Sequence, residues 1–151
     1  MIAEALPFLS GFETESTPAV TAVTAVETLN VHREAEWDRY VRAADTDGAT
    51  FFHQLGWRWL VERTFGHRAH YLTALRNGHI VGVLPLFELK SLLFGHSLVS
   101  IPFAIGGGLV AGDHAAANAL LAEAKRLAED LRVDYLELRS EHPLTDPDLL
   151  T

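Results

Sequence analysis

At 151 residues and 16.6 kDa the chain has room for one ordinary domain and not for two of full size. Hydrophobic residues make up 48% of it, with three Trp and eight Phe, which excludes a disordered tail that lacks the apolar surface to offset chain entropy. Twelve Lys and Arg against 20 Asp and Glu give a formal charge of −8 with no basic run, so stable nucleic-acid binding by this chain alone is not expected; the absence of Cys excludes disulfides, thiolate zinc sites and a cysteine nucleophile and suits a cytoplasmic setting.

Residues 1–18 read as a flexible leader. They hold one short apolar patch, Ala5 to Leu9, and the first Lys or Arg of the chain is Arg33, so the positive start of a targeting peptide is missing. Thr21 to Val31, rich in Val and Thr, predicts a first strand. From Arg33 to Ala44 the spacing of Trp37, Tyr40, Val41 and Ala44 predicts a helix with one apolar face, ended by Asp45, Asp47 and Gly48. Gln54 to Phe65 repeats that pattern through Trp57, Leu60, Val61 and Phe65, with Gly66 placed for a left-handed C-terminal cap.

His70 to Leu75 and His79 to Leu89 read as strands joined by Arg76-Asn77-Gly78, because Asn and Gly tolerate the positive φ that a tight hairpin needs. Ser91 to Gly112 carries no formal charge and is long enough to cross a bilayer, but His96, Pro102 and the glycines at 95, 106, 107, 108 and 112 divide it. A strand from Ser97 to Ala104 and a Gly106-Gly107-Gly108 loop are expected instead of a transmembrane span. Asp113 can cap a helix to Leu131 whose stripe is Ala117, Leu120, Leu121, Ala124, Leu127, Ala128 and Leu131. Val133 to Arg139 closes the series as a strand. The expected fold is α/β, a mixed sheet with helices on its faces, in the order β-α-α-β-β-β-α-β.

That order, and several stretches, resemble one family. The stretches are Thr50-Phe51-Phe52-His53-Gln54 leading to Trp57, Glu62 to His67, His70-Tyr71-Leu72, Gly78 to Leu86, Ser100-Ile101-Pro102-Phe103, and Asp134 to Arg139. Together they look like the FemAB-like proteins, in particular the branch associated with exosortase/PEP-CTERM surface systems. The resemblance implies that residues 19–140 form a GNAT-like N-terminal unit of an acyl or aminoacyl transferase, with residues 141–151 a tail where a second such unit would begin. It further implies acyl-CoA or aminoacyl-tRNA as donor in the full family, and a small-molecule or cell-wall precursor acceptor of the cell envelope or an exopolysaccharide. The partner would be that second unit or a second copy of the chain.

In a GNAT-like unit the N–H groups at the start of the helix near Asp113 would hold a cofactor pyrophosphate. Gly106, Gly107 and Gly108 are the candidate cofactor-binding residues. Their spacing departs from the family's basic-residue, two, Gly, one, Gly arrangement. Asp113 puts a negative charge at the site, and no Lys or Arg occurs between Lys90 and Lys125. No cofactor is therefore expected on this chain alone.

Candidate substrate-binding residues are His53, Trp57, Arg63, Phe103 and Arg139. Some Fem relatives pair a Gln-Ser, two residues, Trp pattern with a lysine; here the fourth residue after Trp57 is Val61, and Arg63 lies nearby. Trp57 also has helical spacing with Leu60 and Val61, which suits a core position. Arg139 and Glu137 share a strand face. His67 and His70 lack a nearby carboxylate in sequence, so no metal site is expected. No nucleophile motif is present, which is compatible with direct attack by a substrate amine. Two other readings stay open: a non-catalytic interaction domain that docks through the uncharged run, and a stand-alone acetyltransferase.

Overall fold

A computed structural model describes residues 22–44, 48–93 and 95–140; the leader at 1–18, the residues at 45 and 47 and the tail at 141–151 lie outside the described residues. The strands are β1 (Ala25–Thr28), β2 (Arg68–Arg76), β3 (His79–Ser91), β4 (Gly95–Ser100), β5 (Val110–Ala111) and β6 (Tyr135–Glu137). The helices are α1 (Glu34–Ala43), α2 (Leu55–Phe65) and α3 (His114–Leu131), with short 3-10 turns at Val31–Arg33 and Phe51–His53. The sheet order is β1-β2-β3-β4-β6, with β5 also on β3. All pairings are antiparallel except β4 with β6, which α3 makes possible by crossing back over the sheet.

The β2–β3 hairpin follows from two residues. Asn77 at φ 51° and Gly78 at φ 79° take the left-handed conformation, and Arg76 then pairs directly with His79. Alternation along β2 and β3 sends side chains to both faces of the sheet. Tyr71, Val83 and Phe87 meet α1 and α2, while Leu72, Leu84 and Leu86 meet α3. On the first face Trp37 is fully buried, its ring 4.8 Å from that of Tyr71, and its Nε1–H donates to the His53 carbonyl at 2.8 Å. On the second, Leu120 lies so close to Gly82 that a Cβ there would sit 3.0 Å from its Cδ1.

Four expectations need correction. The first strand is confined to Ala25–Thr28 and the last to Tyr135–Glu137. The stripe expected on α2 is only half right, since Leu60 and Phe65 are about half exposed and the buried residues are Leu55 and Val61. Apolar residues surround most of this helix, so spacing does not single out its inner side. The strand expected from Ser97 to Ala104 stops at Ser100, because Ile101 (φ 40°) and Phe103 (φ 66°) turn the chain out of the sheet in left-handed conformations.

That turn begins a detour. Ser100 pairs with Leu86 and Val110 pairs with Val83, so β4 and β5 are two pieces along the same edge of β3, parted by residues 101–109. The gap lies opposite Leu84 and Pro85, and a proline has no N–H to offer a ladder. The uncharged run thus forms strand, loop and strand, and no described helix is long and apolar enough to cross a membrane.

Leu120→Ala is expected to lower stability by about 2–5 kcal/mol in urea denaturation. Leu93→Ala, at a side chain 87% exposed on the β3–β4 turn, is expected to stay within about 0.5 kcal/mol of the parent.

Candidate functional site

Two places deserve chemical description: the start of α3, and the carboxyl ends of the parallel pair β4 and β6. Ligands of open α/β sheets lie in the crevice outside the carboxyl ends of parallel strands, next to the start of the crossover helix.

At the start of α3 the backbone of Asp113 is extended, and its carboxylate accepts from the Ala116 N–H at 2.9 Å. Arg76, the last residue of β2, approaches from the other side. Its Nη1 lies 2.5 Å from Asp113 Oδ2 and its Nη2 3.1 Å from Oδ1, a two-pronged ion pair. Nε and Nη2 of the same guanidinium donate to Thr24 Oγ1 at 3.2 and 2.9 Å. The Arg76 hydrogen bond, helped by the helix N–H groups, holds the Asp113 carboxyl well below its ordinary range, and Asp113 in turn raises the Arg76 pKa. Reading along the chain finds no cation near this corner; folding brings one from 37 residues away and engages it with an internal anion. Gly106, Gly107 and Gly108 are not at this corner in sequence order, since β5 and Gly112 stand between them and α3.

The glycines serve the other place. Gly107 (φ 141°) packs on Ile101, where a Cβ would come within 2.6 Å of Cδ1. Gly108 packs on Ser140, with a Cβ 2.8 Å from its Cα. Past the paired residues Val99 and Glu137, the Arg139 N–H donates to Ser100 Oγ at 2.8 Å. The crevice between the ends of β4 and β6 is therefore bridged by a hydrogen bond and flanked by the 101–109 loop.

His53 fastens that loop. Its Nδ1 accepts from the Thr50 N–H at 2.9 Å, which leaves the ring proton on Nε2, and Nε2–H donates to the Gly108 carbonyl at 3.0 Å. The residue is fully buried. Trp57 is partly buried against the α1–α2 core and meets Phe52 edge to face at 4.9 Å. Arg63 is exposed on α2. Phe103 stacks on Phe65 at 4.4 Å. Arg139 Nε lies 2.7 Å from Glu137 Oε1. The fold thus joins His53 to Gly108, Arg139 to the end of β4 and Phe103 to Phe65 of α2, while Arg63 stands exposed on that helix.

One cluster escapes sequence reading. Glu88 is 6% exposed, and its oxygens take three donors: His70 Nε2 at 3.2 Å, His96 Nε2 at 2.8 Å and Lys90 Nζ at 2.8 Å. The carboxylate that His70 lacks in sequence comes from β3 by strand pairing. Among the described residues no group of three His, Cys, Asp or Glu side chains is placed to hold a metal ion. Burial pushes the Glu88 pKa up, but the bonds from Lys90, His70 and His96 outweigh it and bring it from 4.5 to about 2.

No family model matches the sequence, and no curated protein matches it either. Solved structures do. A ribosomal-protein-alanine N-acetyltransferase from Brucella melitensis biovar Abortus 2308 aligns with a TM-score of 0.54 at 14% identity, over 83% of this chain and 84% of that one. A GNAT family acetyltransferase from Staphylococcus aureus subsp. aureus USA300_TCH1516 aligns with a TM-score of 0.56 at 11% identity, over 85% of this chain and 97% of that one. The fold is GNAT-like. At such identity the likeness is one of fold, a mixed α/β architecture in the expected element order with the short β5 added before α3.

The depressed Glu88 pKa fixes the sign of one pH effect. The unfolded chain takes up this proton near pH 4.5 and the folded chain only near pH 2, so the stabilisation is whole above about pH 5 and is lost as pH falls towards 2. Urea midpoints measured between pH 6 and pH 2.5 are expected to fall less steeply in Glu88→Gln than in the parent.

Proposed function

We propose that this chain acts as one GNAT-like unit of a FemAB-like acyl or aminoacyl transferase, and that it leaves the acyl donor to a second unit or a second copy. The acceptor is a component of the cell envelope or an exopolysaccharide. The single observation that carries the reading is the Asp113–Arg76 pair at the start of α3. Helix N–H groups that would meet a pyrophosphate already bind an internal carboxylate, and the cation beside them is neutralised by it. A pyrophosphate does not fit that corner, because it would meet like charge where it needs compensation. The GNAT-like fold and the FemAB-like stretches of sequence supply the reaction class.

In that class an amine of the acceptor attacks the acyl carbonyl directly, so the enzyme has to orient the amine and take up its proton. This chain would contribute the acceptor wall, built from α2 and the 101–109 loop, with Phe103 stacked on Phe65 along it and Trp57 supporting α2 from the core side. His53 acts there as a positioning residue, since it holds Gly108 and with it the loop. Arg139, just past β6, donates its N–H across the bridged crevice and pairs its side chain with Glu137.

Calorimetric titration of the chain with acetyl-CoA is the direct test. No saturable heat is expected, nor turnover with acyl-CoA or aminoacyl-tRNA donors; a saturable isotherm, or full turnover by the 151-residue chain, would reject the reading. Asp113→Asn keeps a side chain able to cap the helix but frees Arg76. It is expected to raise the affinity for inorganic pyrophosphate about tenfold over the parent, by the gain of one charge-assisted contact.

A further inference from the structure

A cavity of about 310 Å³ opens at the junction of α2 and β2, lined by Phe65, Gly66, His67, Arg68, Glu88 and Lys90. We propose that it binds a small aromatic anion, a single ring bearing a carboxylate or a phosphate. The inference goes beyond the transferase reading and does not depend on which unit holds the acyl donor.

The charge of the cavity is decided by what Glu88 has left to offer. Both of its oxygens already accept, from His70, His96 and Lys90, so it has little to give a cationic ligand. Lys90 gives Glu88 one contact from a side chain that is 70% exposed, which leaves further N–H donors for a ligand. Arg68 is exposed, and its guanidinium has no hydrogen-bond or ion-pair partner among the described residues. Arg68, Lys90 and Glu88 together leave one positive charge, and a guanidinium beside an ammonium suits a carboxylate or phosphate group.

The ring requirement comes from the other wall. Phe65 and His67 lie nearly parallel, 13° apart, and Phe103 stacks behind them at 4.4 Å from Phe65. Phe65 and Phe103 nevertheless stay 50% and 56% exposed. Phe103 in the 101–109 loop has a left-handed backbone, a conformation that a phenylalanine rarely adopts. Half-exposed, co-aligned rings next to one unpartnered guanidinium and an ammonium with N–H groups to spare form a platform for a flat ligand with an acidic substituent. The volume lies at the small end of ligand pockets and has room for a single ring with one acid group.

The experiment titrates the whole chain with phenyl phosphate, phenylacetate, inorganic phosphate and benzyl alcohol, by calorimetry and by the NMR shifts of the His67 ring. At least one aromatic anion is expected to bind saturably, about tenfold tighter than both inorganic phosphate and benzyl alcohol, and to move the His67 signals. A preference for phenyl phosphate over phenylacetate, or the reverse, assigns the acid group. Arg68→Gln and Phe65→Leu are each expected to weaken binding about tenfold, and Arg42→Gln on α1 to leave it unchanged, with circular dichroism melts confirming that all three variants fold. The proposal is overturned if neither aromatic anion binds, if inorganic phosphate or benzyl alcohol binds as tightly as the better of them, or if Arg68→Gln binds like the parent.

Discussion

Between Ser100 and Val110 the chain leaves the edge of β3 and then returns to it, and the crevice at the ends of β4 and β6 is arranged around that detour. The constraint that holds it is the buried imidazole of His53. One ring nitrogen is committed to the Thr50 backbone and the other to the Gly108 carbonyl, so the helical layer and the loop are tied through a single side chain in a single tautomer. The two glycines at 107 and 108 let the loop come down on Ile101 and Ser140, where any side chain would collide. Given that anchorage, Phe103 is presented outward beside Phe65, and the ends of β4 and β6 are bridged.

Electrostatics then sort the two ends of the sheet. At the start of α3 a cation is present but matched by an internal anion, and the helix dipole is answered by the protein itself. At the α2–β2 junction the order is reversed: an internal anion is answered by three donors, and an arginine is left over. Both arrangements use ordinary surface and core residues. What differs is whether the last charge in each group is spent, and that is settled by strand register rather than by composition.

Much of the architecture was legible. The Asn77-Gly78 turn, the Asp113 cap and the stripe of α3 are local features, written in residues close together in the chain, and they fixed the hairpin and the crossover helix. The extent of β4 was not legible, because Ser97 to Ala104 has strand-like composition and only the folded context forces Ile101 and Phe103 into left-handed backbone. The inner face of α2 is not legible for a related reason: a helix apolar on most sides takes its inner face from whatever it meets. The site residues were harder. His53 and the glycines stood out as a motif and a loop, but nothing local says that they hydrogen-bond to each other. The ion pairs of Arg76 and Glu88 are not legible in the sequence, since Asp113 lies 37 residues from Arg76 and His70 lies on the strand before Glu88. A charge count taken along the chain misses a cation delivered by a hairpin.

The margins of the sheet have a consequence of their own. Among the described residues it ends on one side in β1, four residues long, and on the other in β6, three residues long. Such short borders present few unpaired amides for another chain to zip onto, so lengthening of the sheet from molecule to molecule is discouraged despite the apolar composition. Encounters between copies are left to side chains, whose contacts can be broken and re-formed, rather than to a backbone ladder that would grow without limit.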